Sequence, residues 1–190
     1  MTVFEVHCKV NDYQCLCLSD MGQAKRHEFY FDCEKREANW TPPEVYIRQP
    51  KLKRGNFFYF AGASGCFICD EPTRYHDELA ELLETSGELL PLLHEGETFY
   101  VMNVLECINA LDRDKSEWPP QMKQKIGFPQ KYVFHRSRIP DTPLFKIPEL
   151  SRWQILCVED GPNAAYDFKR MVERLGLTGL YFEKLWTDKD

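Results

Sequence analysis

The amino-acid sequence predicts an α+β fold in a single domain, built from a mixed β-sheet and two repeated strand–helix–strand units. Three observations lead to this prediction. Apolar residues recur with helical spacing in two stretches. Each of these stretches lies between two short β-prone runs. Six of the 12 prolines fall between residues 119 and 148, which predicts a loop-rich, proline-containing segment between the two units.

The first predicted unit comprises a strand at residues 66–69, a helix over residues 72–87 and a strand at residues 88–93. Gly87 is a suitable helix stop, because glycine readily adopts the left-handed conformation that often follows the last turn. The apolar residues of the helix share one face. They are Tyr75, Leu79, Leu82 and Leu83.

The second predicted unit has the same order, with a strand at residues 155–158, a helix over residues 162–176 and a strand at residues 180–182. The apolar face of its helix consists of Phe168, Met171, Val172 and Leu175. The two helical stretches, each running from a proline to a glycine, differ in length by one residue. This match suggests a duplicated or convergently repeated element.

Residues 1–60 are predicted to form a β-rich part that precedes the two units, which occupy residues 61–190. Residues 3–10 and 14–18 have strand character, and the turn-like Asn11-Asp12 between them suggests a hairpin. The chain has 190 residues, of which 43% are hydrophobic, so it can bury a core as one domain.

The net charge of −6 is concentrated in one region of the chain. Residues 61–117 contain 13 Asp and Glu against three Lys and Arg, whereas the flanking regions are slightly basic. An acidic region disfavours nucleic acid, because binding to phosphates requires Lys and Arg. It favours a cationic partner, which it would attract over a distance. The alternative is a solvated face that keeps the protein soluble.

The eight cysteines are predicted to be buried structural thiols. Cys66 and Cys69 form a lone C-x-x-C pair, whereas a zinc site needs a second pair of ligands. Their segment also has strand character, so the two side chains would point to opposite faces. We predict no secretory leader at the N-terminus, and free thiols are therefore the expectation. Zinc binding and redox chemistry are the alternatives.

Motifs for catalysis are absent from the sequence. It contains no phosphate-binding loop, no dinucleotide fingerprint and no nucleophile elbow, and its five histidines are dispersed. A cysteine nucleophile with a histidine distant in sequence stays open, because such partners meet only in the fold. Asp112, Asp114 and Glu117 have the spacing of a cation-binding loop, although a solvated or capped turn is the simpler interpretation. Trp118 is either a packed anchor or an exposed binding residue.

Residues 97–118 resemble the signature of a family of bacterial immunity proteins. The chain reads Glu-Thr-Phe-Tyr-Val-Met-Asn-Val-Leu from Glu97, then Asn-Ala-Leu-Asp from Asn109 and Ser-Glu-Trp from Ser116. This pattern is similar to that of family eleven of the polymorphic-toxin immunity proteins, earlier catalogued as a domain of unknown function. The chain departs from it at Met102, where leucine is usual, and at Asn109, where aspartate is usual.

The resemblance covers about residues 40–186 and implies a non-enzymatic inhibitor of a cognate toxin. It brings no catalytic residue, metal or cofactor. We expect a cytoplasmic protein that neither binds nucleic acid nor spans a membrane and whose partner is a toxin, such as a basic nuclease-type domain. The candidate partner-binding residues are Asp77, Glu81, Glu84, Asp112, Asp114, Glu117 and Trp118. A cysteine-dependent enzyme and a zinc-stabilised adaptor domain are the alternatives, and the oligomeric state is left open.

Overall fold

The fold combines two β-sheets with short helices. It is known from a computed structural model that describes residues 1–20, 29–121, 127–161 and 163–189. Over these residues the strands are β1 (Thr2–Cys8), β2 (Cys15–Leu18), β3 (Val45–Ile47), β4 (Phe57–Ala61), β5 (Cys66–Asp70), β6 (Gly87–His94), β7 (Glu97–Val104), β8 (Leu156–Glu159) and β9 (Leu180–Thr187). The helices are α1 (Glu71–Arg74), α2 (Ala80–Ser86) and α3 (Phe168–Arg174). The predicted α+β class is confirmed.

The larger sheet has six strands in the order β3-β2-β4-β5-β7-β6. It is mixed, since β2 and β4 run parallel while the other neighbours are antiparallel. Its two edges meet, because Glu44 and Leu93 form a parallel bridge and the Leu93 amide donates to Pro43 O at 3.0 Å. The sheet therefore curls around the apolar side chains on its concave face and leaves little open edge.

The smaller sheet has three antiparallel strands in the order β8-β1-β9. Its central strand is the first of the chain, so the predicted hairpin between β1 and β2 is wrong. Between the two strands the chain makes a turn, in which the Tyr13 amide donates to Lys9 O at 3.1 Å. The Gln14 amide then donates to Lys53 O at 2.9 Å, just before β4 in the chain, and β2 pairs with β4 instead of β1.

Three hydrophobic cores lie in and between these layers. The central core draws side chains from both sheets and from α2 and α3. The concave face of the larger sheet encloses the second core, and the third lies on the outer face of the smaller sheet. Alternation along β4 shows how one strand serves two cores, because Phe57 points into the central core and Phe58 into the second.

Both predicted strand–helix–strand stretches exist, but in separate sheets. β5 and β6 are both antiparallel to β7, which lies between them, and β8 and β9 flank β1 in the same way. The connection in the first stretch contains two short α-helices, whereas the described residues of the second contain a 3₁₀ turn at Ala164–Tyr166 and one α-helix. That the two stretches are repeats of one element therefore stays a prediction.

The helix predicted over residues 72–87 is broken into two. Asp70 caps α1 by accepting from the Thr73 amide at 3.0 Å, and the chain turns at Tyr75 before α2 begins. Tyr75, expected on the buried face, is instead 59% exposed. It lies between α1 and α2, and its hydroxyl meets that of Tyr100 at 3.2 Å at the surface.

The proline-containing segment is held mainly by isolated bridges. Leu111 bridges to Phe134, and Phe145 bridges to Leu156. A 3₁₀ turn at Arg136–Arg138 lies between them. Among the described residues, no helix is long and apolar enough to cross a membrane.

Candidate partner-binding surface

The surface around α2 carries the first group of predicted carboxylates. Leu82 and Leu83 are buried in the central core, and they fix which side of the helix faces outward. Asp77, just before the helix, and Glu81 and Glu84 within it are all exposed. Sequence periodicity predicted this arrangement, and the three carboxylates are accessible to a partner.

Few cations neutralise this surface from within the protein. Arg74 pairs with Glu84 at 2.7 Å, and Arg174 pairs with Glu78. The hydrogen bond from Arg174 lowers the pKa of Glu78, which keeps that carboxylate ionised. Asp77 and Glu81 form no ion pair with any residue that the structure describes. Both can therefore meet a cation from another molecule without breaking an existing pair.

A groove of about 340 Å³ lies at the C-terminal end of α2. It is lined by Lys35 and Glu37, by residues 84–88 at the end of α2 and the start of β6, and by residues 105–106, which follow β7. Four carboxylates line it with one amine, that of Lys35. The four are Glu37, Glu84, Glu88 and Glu106. We call this feature the acidic groove.

The walls of the acidic groove are tied together by Glu88. Its carboxylate accepts from the Arg36 amide at 2.9 Å and from the Glu37 amide at 3.3 Å. The buried Asn103 donates to the same carboxylate at 2.9 Å and to Glu34 O at 2.8 Å. These bonds hold the groove in one shape before any partner arrives, which reduces the entropic cost of binding.

Sequence analysis missed the groove because its carboxylates come from three distant segments. Glu88 and Glu106 belong to the acidic region and were counted there, but no local pattern sets them apart from other surface acids. Glu37 lies outside that region. Only the pairing of β6 with β7 and the bonds to Glu88 bring the three together.

The second predicted group of residues forms a tight turn. Asp112 is buried and accepts from the Lys115 amide at 3.1 Å. Its carboxylate lies 3.6 Å from both Lys115 Nζ and His135 Nδ1. Burial opposes its ionisation, yet the hydrogen bond from the Lys115 amide, together with the nearby His135 ring and Lys115 ammonium, lowers the pKa of Asp112. This arrangement is the capped turn that the sequence allowed as the simpler interpretation.

Of the other residues in this group, Asp114 and Glu117 are exposed, and Glu117 pairs with Lys131 at 3.5 Å. Trp118 is half-buried against the third core, and its indole N–H donates to Arg113 O at 3.0 Å. This turn packs on a different core from α2. The two predicted groups therefore belong to separate parts of the fold. Of these carboxylates, Asp77 and Glu81 on the α2 surface form no ion pair with the residues that the structure describes.

The contacts of Asp112 predict an acid-sensitive contribution to stability. A carboxyl whose pKa is lowered by folding stabilises the fold above its unfolded pKa of about 3.9, and this stabilisation is lost as the pH falls through the folded value. Asp112→Asn should therefore lower the free energy of unfolding at pH 7, and the difference from wild type should shrink at pH 3. Urea denaturation at both pH values measures this, with the exposed Asp141→Asn as the control. A difference that is equal at both pH values would contradict the assignment.

The cysteines and the described histidines are not grouped as metal ligands in this structure. All eight cysteines are free thiols, and Cys66 and Cys69 lie on β5. Within the described residues, no three or more His, Cys, Asp or Glu side chains are grouped so that they could hold a metal ion. One of the five histidines, His27, lies outside those residues.

Comparison with known proteins identifies no relative of the chain. No protein-family model matches the sequence, and neither a curated protein nor a solved structure matches it.

Proposed function

We propose that this protein is an immunity protein that binds a basic toxin domain and blocks it without catalysis. The observation that supports the proposal most is the exposed acidic surface of α2 together with the acidic groove at its end. A lysine or arginine of the partner that entered the groove would face four carboxylates and one amine. Charge of this kind accelerates association and selects cationic partners.

The mode of inhibition follows from the charge. A toxin domain that acts on nucleic acid must attract phosphates with Lys and Arg. The carboxylates of α2 and of the groove would occupy the same cations and so exclude the substrate. Inhibition of this kind needs no reaction, only a complex that dissociates slowly. We place this protein in the cytoplasm of the cell that makes the toxin, where the toxin would otherwise act.

Neutralising the α2 carboxylates tests whether this surface binds the toxin. The triple variant Asp77→Asn, Glu81→Gln and Glu84→Gln should bind the toxin about tenfold more weakly or worse, mainly through slower association, because exposed ion pairs contribute roughly 0.2–1 kcal/mol each. The control removes three exposed carboxylates elsewhere, with Asp12→Asn, Glu44→Gln and Asp141→Asn. Both variants change the net charge equally, so equal losses of affinity would contradict a local interface.

A second variant separates the two predicted groups. Asp114→Asn with Glu117→Gln alters the exposed carboxylates of the turn and leaves α2 intact. We expect toxin affinity close to that of wild type. A loss confined to this variant would move the interface from α2 to the turn.

A further inference from the structure

Asn103 is a buried polar residue in direct contact with the acidic groove. It lies on β7 directly opposite Glu88 of β6, and its side chain is fully buried. Its amide nitrogen donates to Glu88 Oε2 at 2.9 Å and to Glu34 O at 2.8 Å. Because both partners are acceptors, the nitrogen and not the oxygen of the carboxamide must face them. One uncharged side chain therefore holds a groove carboxylate and the segment that leads into Lys35 and Glu37.

Glu88 receives three hydrogen bonds from N–H groups. Its Oε2 accepts from Asn103 and from the Arg36 amide at 2.9 Å, and its Oε1 accepts from the Glu37 amide at 3.3 Å. An ionised carboxylate has about four acceptor sites, two on each oxygen. Oε2 is therefore fully used, whereas Oε1 retains one site for an N–H group of a partner.

The negative charge of Glu88 is not neutralised by these bonds. All three donors are uncharged N–H groups, and the guanidinium of Arg36 pairs with Asp32 at 3.3 Å. Among the described residues, no Lys, Arg or His side chain forms an ion pair with Glu88. The groove thus contains a carboxylate that is fixed in position and keeps its charge, and hydrogen bonds from a cation to such a group are strong.

We propose that Asn103 is a positioning residue of the acidic groove. It fixes the Glu88 carboxylate and, through it, the segment that carries Lys35 and Glu37, so that the groove binds a cationic side chain of the toxin. Asn103 itself does not touch the toxin, because it is fully buried. For the identity of the partner this role rests on the proposed function, whereas the binding of a cationic side chain can be measured without the toxin.

A cationic peptide provides the first test. The full chain, isotope-labelled, is titrated with a tetra-arginine peptide while the amide signals of residues 84–88 and 105–106 are followed by NMR. Asn103→Ser, whose side chain is too short to reach either acceptor, should bind the peptide about tenfold more weakly, the usual effect of losing one hydrogen bond to a charged group. Asn103→Asp should also bind it more weakly, although it adds a negative charge, because a carboxylate cannot donate to Glu88 or to Glu34 O. Affinities equal to or above that of wild type, or a wild type that does not bind the peptide at these residues, would overturn the proposal.

Gln154→Ser is the matched control. Gln154 is also a buried carboxamide that donates to a carboxylate, that of Glu5 at 2.7 Å, but Glu5 does not line the acidic groove. This variant should lose stability without losing affinity for the peptide at the groove. Equal losses of affinity in the Asn103 and Gln154 variants would assign the effect to general destabilisation and overturn the positioning role.

Amide hydrogen exchange keeps the proposal testable if the Asn103 variants do not fold. In wild type the Arg36 and Glu37 amides should be protected, since both donate to Glu88. Glu88→Ala, at a partly exposed position, should remove the protection of these two amides and leave that of the central strands unchanged. Rapid exchange of both amides in wild type would overturn the proposal.

Binding of the toxin domain separates this role from the proposed function. Weaker binding of both the peptide and the toxin domain by Asn103→Ser would support both. If wild type bound the peptide but not the toxin domain, and Asn103→Ser bound the peptide more weakly, the immunity function would be contradicted and the positioning role would stand. If wild type and Asn103→Ser bound the toxin domain equally tightly, the positioning role would be overturned and the immunity function would stand.

Discussion

Gly179→Ala should cost more than about 4 kcal/mol of unfolding free energy, a large share of the roughly 5–15 kcal/mol by which native domains are stable. Gly179 has φ +104° and lies where the chain enters β9, directly against the start of β4. A Cβ atom there would be 2.0 Å from the carbonyl oxygen of Phe57. Since the Phe57 amide donates to Thr178 O at 3.0 Å, neither backbone can move without breaking the junction of the two sheets.

Gly176→Ala is the matched control for this prediction. Gly176 also has a left-handed conformation, with φ +65°, but a Cβ atom there would meet nothing within 4 Å. Only the conformational strain remains, which should cost about 1 kcal/mol. Urea denaturation of both variants, followed by circular dichroism, measures the difference. Similar losses in the two variants would mean that the close contact at Gly179 is absent.

Phe168→Ala should destabilise the protein by roughly 3–5 kcal/mol, the usual cost of removing a buried phenylalanine. Phe168 is fully buried on α3 and is the aromatic residue that joins both sheets to that helix. Its ring centroid lies 6.2 Å from that of Phe57, 6.1 Å from that of Phe67 and 6.2 Å from that of Phe182. The substitution would leave a cavity that these rings cannot fill.

Phe128→Ala provides the comparison. Phe128 is 52% exposed, so its removal should change the free energy of unfolding by less than about 0.5 kcal/mol. The two variants lose the same side chain in different surroundings. If Phe168→Ala were as stable as Phe128→Ala, the central core would not have the packing described above.

Local sequence patterns predicted the fold class and several strands, because these depend on the short-range spacing of apolar residues. In β5, for example, adjacent apolar residues face two cores, so the whole run is hydrophobic and readily recognised. Which strands lie next to each other in a sheet was not predictable from the same pattern. The position of β1 between β8 and β9 depends on contacts between residues more than 140 positions apart.

The candidate sites also combine features that local sequence patterns predict with features that depend on contacts between distant segments. The exposed carboxylates of α2 followed from the spacing of its buried leucines. The acidic groove was not predictable, because its carboxylates come from separate segments that meet only in the folded chain. Asp112 was predicted as a binding residue on account of its charge and its place in the signature segment, and its buried position in a capped turn is visible only in three dimensions.

The central claim is that this protein binds and blocks a toxin domain. Co-purification with the proposed toxin, the C-terminal domain of the protein encoded by the neighbouring gene, tests this claim most directly. The wild-type chain should bind that domain in a stoichiometric complex at low salt, and the affinity should fall steeply at high salt because the proposed interface is acidic. The triple variant at Asp77, Glu81 and Glu84 should bind more weakly and show a shallower dependence on salt. If the domain and the chain do not bind each other at either salt concentration, the immunity function is contradicted.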